Sequence, residues 1–259
     1  MRIKSLVPAL ASMLAALFLL SACGTAPTED TADGIAARKR AEVHLQLAVG
    51  YYARGQFDVA QQEIRRALQI DPNNVDSYNV QGLIYMSQAQ PRLAEGSFQR
   101  ALRISPDNPE VLNNYGWFMC QSGREREALE QFAKILQHRA YPNQARVLNN
   151  AGICSVRLKD LTGAEAYFMK AFELDPGSQT INTNLADVYY RRDQLPRAQF
   201  HLNRALKAEN PAADTLWLAV RVERKLGNEA LANGYANQLR RRYPQSPEFA
   251  AYLRGAFDE

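Results

Sequence analysis

Histidine, cysteine and tryptophan are scarce: three, three and two among 259 residues. The histidines, His44, His138 and His201, stand far apart, with no second ligand at metal spacing, which speaks against a metal centre. The chain also lacks a glycine-rich phosphate loop and a nucleophile elbow. Carboxylates such as Glu125 and Glu127 fall in charged helical surface, where a solvated face is expected rather than acid–base work. Neither sign of charge dominates: 31 basic against 27 acidic side chains leave +4, too mild to imply a nucleic-acid partner. Long apolar runs are missing apart from Leu6–Leu20, broken only by Pro8 and Ser12. These absences predict a protein that is no enzyme, holds no metal or diffusible cofactor and binds no nucleic acid.

What the chain does have is a period. Ala60, Ala94, Ala128, Ala164, Ala198 and Ala232 are separated by 34, 34, 36, 34 and 34 residues. A proline follows each, at Pro72, Pro106, Pro142, Pro176, Pro211 and Pro244. Self-similarity at this spacing predicts stacked helix pairs, an architecture that offers an extended surface for holding other proteins.

Aligned on the alanines, the repeats resemble the tetratricopeptide (TPR) family. Repeat two carries the pattern most fully, with Tyr78, Gly82, Tyr85, Ala94, Phe98, Ala101 and Pro106. A small-residue column reads Ala48, Gly82, Gly116, Gly152, Ala186 and Val220; a large one reads Ile64, Phe98, Phe132, Phe168, Leu202 and Ala236. The small residues let paired helices approach and the large ones fill the space between pairs. The resemblance implies an all-α, right-handed superhelical array of six TPR helix pairs. The repeats are placed at about 41–74, 75–108, 109–144, 145–178, 179–212 and 213–246, within a 38–246 array. Repeat three is two residues longer, which predicts a bend or a longer turn around His138–Tyr141. Residues 247–259 place Phe249, Leu253 and Phe257 four apart, a helical face expected to cap the last repeat.

At the other end, Arg2 and Lys4 precede the apolar run, the order of a signal peptide over residues 1–22. The run closes in Leu20-Ser21-Ala22-Cys23-Gly24, which resembles the bacterial lipoprotein box. That resemblance implies a mature chain beginning at an acylated Cys23, the covalent lipid being its only prosthetic group. Gly24, where aspartate would signal inner-membrane retention, implies outer-membrane sorting. Removing residues 1–22 takes away Arg2 and Lys4 and no acid, so the charge falls from +4 to +2. Residues 23–37 lack apolar periodicity and are expected to form a flexible tether.

Within each first helix, positions 4, 7, 8 and 11 are expected inward, and positions 2, 5, 9 and 12 on the groove. The candidate partner-binding groove is therefore Val49, Tyr52, Leu83, Met86, Trp117, Ile153 and Val156, apolar over four repeats. A partner helix or extended segment, or the tether folding back, would cover such a stripe. Beyond it the groove turns polar and basic, with Arg191, Arg192, Arg197, Arg204, Lys207, Arg221, Arg224 and Lys225. Most of these are expected on a solvated face, the other reading being an anionic partner or lipid headgroups. Cys120 and Cys154 lie one period apart at positions 12 and 10; a disulfide and two free thiols both fit.

A closer resemblance lies in Val111-Leu112-Asn113-Asn114-Tyr115-Gly116-Trp117-Phe118-Met119-Cys120 and in Tyr141-Pro142 followed by Arg146-Val147-Leu148-Asn149-Asn150-Ala151-Gly152. With the lipobox, the six repeats and the closing Leu239-Arg240-Arg241-Arg242-Tyr243-Pro244, they look like type IV pilus biogenesis lipoproteins of the PilF/PilW kind. The resemblance implies a pilotin: a lipid-anchored protein of the outer membrane, facing the periplasm, that helps the pilus secretin subunit reach the membrane and multimerise. Other pilus assembly proteins are further expected partners. The alternative is a lipid-anchored TPR scaffold for cell-wall enzymes or outer-membrane protein insertion. Asn113 and Asn114 either hydrogen-bond along the array or face a ligand.

Overall fold

The computed structural model describes residues 31–138 and 140–257. The signal-peptide segment, the lipobox with Cys23 and the tether as far as residue 30 lie outside the described residues. Among the described residues there are thirteen α-helices and no strand. They form two compact units, the first ending at Val80 and the second beginning at Gln81, with the division inside one helix.

The first unit contains α1 (Ala32–Ala53), α2 (Phe57–Ile70) and the start of α3 (Val75–Ser87). The helix α1 begins earlier than the tether assignment allows, which corrects residues 32–37 to helix. The cause is local. The Thr31 side chain accepts a hydrogen bond from the Gly34 N–H at 3.1 Å, Asp33 sits in the positively polarised first turn, and Ala36 and Ala37 favour helix.

The second unit continues α3 and adds α4 (Pro91–Ile104), α5 (Pro109–Gln121), α6 (Glu125–Leu136), α7 (Gln144–Arg157) and α8 (Leu161–Leu174). Then come α9 (Gln179–Arg191), α10 (Leu195–Ala205), α11 (Ala213–Lys225), α12 (Glu229–Arg242) and α13 (Pro247–Arg254). Side-chain caps fix several starts: Asn108 accepts from Glu110 and Val111, Asp160 from Gly163, and Ser246 from Phe249. Proline stands in the first turn of α4, α5, α10 and α13, where a missing N–H costs nothing.

Each second helix buries one narrow stripe, Ala94, Phe98 and Ala101 on α4, or Ala164, Phe168 and Ala171 on α8. First helices are buried on most sides. On α5 these buried residues are Val111, Leu112, Asn113, Tyr115, Gly116, Phe118, Met119 and Cys120. From α5 onward each first helix packs on its own second helix, on the preceding second helix and on neighbouring first helices. The small and large columns meet inside the second, third and fourth pairs. A Cβ built on Gly82, Gly116 or Gly152 would lie 2.6, 2.8 or 2.4 Å from the ring of Phe98, Phe132 or Phe168.

The turn inside each repeat is a helix stop of one design. Gly55, Ala89, Gly123, Lys159, Asp193 and Gly227 all take positive φ, between 53° and 79°. The next residue donates back to the carbonyl five before it, as Arg124 does to Met119 at 2.9 Å and Asp160 to Ser155 at 2.9 Å. This is the Schellman arrangement, which satisfies carbonyls left over at the helix end.

The longer third repeat is a longer turn. Between α6 and α7, Tyr141 donates to Glu110 at 2.5 Å and Asn143 donates to it at 3.0 Å, and Arg146 in the first turn of α7 pairs with it at 2.5 Å. The insertion is thus fastened to the start of α5. At the carboxy-terminal end, Phe249, Tyr252 and Phe257 pack against Leu216, Trp217, Val220, Ala236 and Leu239. Leu253, expected on that face, is 69% exposed instead. The reason is Gly255, whose left-handed φ of +70° ends α13 and reverses the chain, so Phe257 arrives from another direction and Tyr252 takes the inner place.

Candidate functional site

Along α5 and α9 the residues left toward solvent lie at positions 2, 6, 9 and 13 of the repeat, spaced four, three and four apart along one helical line, and on α7 position 12, Val156, is partly open as well. This corrects position 5 of the expected groove, which is buried at Asn79, Asn113, Asn149 and Thr183. In repeat three, Asn113 and Cys120 are buried, while Glu110, Asn114 and Trp117 are partly open and Gln121 is exposed. Position 5 falls instead on the seam between neighbouring first helices, because 3.6 residues per turn rotates it off the open line, while position 12 is closed only at Cys120 and Tyr190.

Neighbouring first helices are bonded to one another. Cys120 and Cys154 form a disulfide, with Sγ–Sγ 2.10 Å and Cα–Cα 5.8 Å. Asn150 donates its amide to the Asn113 carbonyl oxygen at 3.1 Å, and Asn184 donates to Asn149 at 2.8 Å. Thr183 and Thr215 continue the row at 2.9 Å. Asn113 therefore bonds along the array, and it is 2% exposed.

The candidate groove residues divide accordingly. In the first unit, Val49 is 46% exposed and Tyr52 is half-buried, its ring 5.7 Å from that of Phe57. In the second unit, Leu83, Trp117 and Ile153 share the open position-nine line and are half-buried. Met86 and Val156, at position 12, are also half-buried, and Ile153 and Val156 pack against the core cluster of Leu148, Phe168 and Leu185. The open face of repeats two to four is thus an apolar line, Leu83, Trp117 and Ile153, beside a polar one that includes Asn114 and Asn150. A surface missed by the sequence reading lies on α1, where Ile35, Val43 and Leu47 are 47, 57 and 45% exposed. Position seven, filled by Leu47, is buried from repeat three onward, at Tyr115, Ala151, Leu185 and Ala219, where a preceding second helix packs on the first; among the described residues no helix precedes α1.

Charge around this face is largely neutralised in place. Glu110 is pushed up by burial, yet hydrogen bonds from Tyr141, Arg146 and Asn143 outweigh that and hold its carboxyl below the usual value. Arg124 bridges Glu95 at 2.6 Å and Glu127 at 2.7 Å, and it lowers both carboxyls. Among the basic residues of repeats five and six, Arg191 pairs with Asp187 at 2.7 Å, Arg192 pairs with Glu165, and Lys225 lies 3.6 Å from Asp193. Among the described residues no cluster of three His, Cys, Asp or Glu side chains is placed to hold a metal ion. No described helix is long and apolar enough to cross a membrane.

Helix pairs at this period, glycine against phenylalanine in the second to fourth pairs, and a left-handed stop inside each repeat define a tetratricopeptide protein, a class built for protein–protein interaction. Tetratricopeptide repeat models match residues 41–74, 75–108, 97–130, 121–178, 156–222 and 214–246. The type IV pilus assembly protein PilF of Pseudomonas aeruginosa is 29% identical over 212 residues, 82% of this chain and 84% of that protein. A solved structure of Pseudomonas aeruginosa PilF superposes with a TM-score of 0.74 at 28% identity, over 85% of this chain and 99% of that one. The crystal structure of PilW, described as a widely conserved type IV pilus biogenesis factor, matches with a TM-score of 0.74 at 31% identity, over 82% and 98%. The chain belongs to the PilF/PilW family of tetratricopeptide proteins.

Proposed function

We propose that this protein is a non-enzymatic pilotin of type IV pilus biogenesis. In this reading Cys23 carries the lipid, the anchor holds the chain in the outer membrane, and the helical body faces the periplasm. It binds the pilus secretin subunit and promotes that subunit's localisation and multimerisation. Family membership supports a pilus role, since PilF is named for type IV pilus assembly and PilW for pilus biogenesis. The Cys120–Cys154 disulfide suits an oxidising compartment such as the periplasm.

The observation that carries the binding reading is the apolar line of Leu83, Trp117 and Ile153, half-buried on the open face. A client helix or extended segment laid there buries its own apolar anchors, and Trp117 gives a broad central contact. Binding shields an aggregation-prone client surface while the lipid carries it to the membrane. The test is an immunoblot of heat-resistant secretin multimers in membranes of a strain lacking this protein. Loss of multimer with monomer retained, restored by wild type but not by Cys23→Ser or by Leu83→Arg, supports the reading. Unchanged multimers in the deletion strain refute it and leave the scaffold of another envelope complex. Wild-type multimers with a folded, localised Leu83→Arg protein refute the groove assignment alone.

A further inference from the structure

The same open face is already occupied at repeats five and six, and the occupant is the chain itself. After α13 the left-handed Gly255 turns the backbone, and the Phe257 N–H donates to the Gly255 carbonyl at 2.9 Å. The Phe257 carbonyl then accepts two hydrogen bonds, from the Tyr190 hydroxyl at 3.1 Å and from Arg221 Nε at 2.9 Å. Its ring lies under the Arg224 guanidinium, 4.0 Å from carbon to centroid, and 5.5 Å from the Trp217 ring. Arg221 is the position-nine residue of repeat six, the counterpart of Leu83, Trp117 and Ile153; Tyr190 and Arg224 are the position-twelve counterparts of Met86 and Val156. A segment held through one backbone carbonyl and one ring, at positions equivalent to the candidate groove, is bound as a peptide ligand is bound.

The chemistry of the pocket defines what else fits. Arg221 and Lys225 both lie over the Tyr190 ring, at 4.5 and 4.6 Å, and Phe257 meets one cationic side chain at its carbonyl, Arg221, and one at its ring, Arg224, which also lies 3.8 Å from Glu229. In the sequence Phe257 is followed by two acids, Asp258 and Glu259, opposite in sign to Arg221 and Arg224. We propose that Tyr190, Arg221 and Arg224 form a docking site for a partner segment in which an aromatic residue is followed by acidic ones, and that Phe257 fills the site in cis until such a segment displaces it. The intramolecular copy competes at the high effective concentration of a short tether, so it masks the site without strong contacts of its own. This assignment does not depend on the secretin reading.

The probe is a fluorescein-labelled peptide Leu-Arg-Gly-Ala-Phe-Asp-Glu, the chain's own closing sequence, titrated by anisotropy against the protein lacking residues 1–22 and carrying Cys23→Ser. Phe257→Ala should bind it at least tenfold more tightly than the parent protein, and adding Arg224→Glu should abolish the gain. A peptide with alanine for phenylalanine should not bind either protein. Asp258→Lys with Glu259→Lys weakens the cis copy without touching the packed ring and should give a gain of several fold, which covers the case of a poorly folded Phe257→Ala. Equal binding to the parent and to both opened variants overturns the proposal, as does binding that survives Arg224→Glu. A Phe257 that serves only to cover Trp217 predicts that outcome, with loss of thermal stability and no gained affinity.

Discussion

Two glycine-to-alanine substitutions in this chain should move stability in opposite directions, and the structure sets both signs. In a helix interior, alanine is worth about 1 kcal/mol over glycine. At Gly96 on α4 nothing lies within 4 Å of an added Cβ, so Gly96→Ala should realise roughly 0.5–1 kcal/mol of that gain. At Gly152 the same Cβ would lie 2.4 Å from the Phe168 ring, whereas carbon atoms settle about 3.5–4.0 Å apart. Phe168 is 1% exposed and fills the space between α7 and α8, so its ring has no free direction in which to move by more than 1 Å. Overpacking of this kind costs about 1–3 kcal/mol, and a backstop this rigid points to the upper end. Subtracting the propensity gain leaves Gly152→Ala destabilised by roughly 2 kcal/mol. Urea unfolding followed by circular dichroism reads both, with the midpoint shifting and the slope unchanged. Phe168→Leu should cost far less in the Gly152→Ala background than alone, because it removes the atoms in collision. A Gly152→Ala protein as stable as Gly96→Ala would refute the close-approach argument for the whole small-residue column.

Lys159 holds a φ of 63° that disfavours any residue with a Cβ, so Lys159→Gly should add about 0.5–1 kcal/mol of stability, read as a higher urea midpoint, whereas Gly123→Ala should lower it. The disulfide closes a loop across a separation of 34 residues, so reduction, or Cys120→Ala with Cys154→Ala, should cost up to about 4 kcal/mol, read as a midpoint shift with and without reductant. His201 is 5% exposed, and burial first, then Arg204 and Arg197, pushes its imidazole down to about 4. The unfolded chain protonates near 6.5, so stability is complete above that pH and falls as pH drops toward 4, by roughly 3 kcal/mol at most. Melting curves of His201→Gln should be flatter over that window, and a parallel pH dependence would refute the assignment.

Much of the fold is legible in residue identity. The columns through Ala94, Gly82 and Phe98 name both the helix pairing and the atoms that meet within it. The left-handed turn column was not legible, because backbone geometry rather than side chain defines it. Glycine, alanine, lysine and aspartate all stand there. The open face was legible at position nine and misplaced at position 5. A helical wheel leaves such flanking positions ambiguous until the neighbouring repeat is in place. Adjacent asparagines hid the same information: Asn113 and Asn150 form one bond across a seam, and neither alone indicates its direction. At the carboxy-terminal end, four-residue spacing suggested a continuous helical face, and the reversal at Gly255 broke the periodicity on which that inference rests.

Stacked repeats pulled from their two ends pay out chain one helix pair at a time. The Cys120–Cys154 bond joins consecutive first helices, and everything between them, including α6 and the long turn fastened to Glu110, is shunted out of the load path. Some 34 residues of chain, which extended would add roughly 110 Å, are unavailable to a stretching force while that bond is intact. Tension would travel through two sulfur atoms instead, and unravelling advancing from either side would meet a covalent stop in the middle repeats. A body reeled out under strain would thus keep its central pair of repeats tied together, and single-molecule extension traces would lengthen by that missing increment only after reduction.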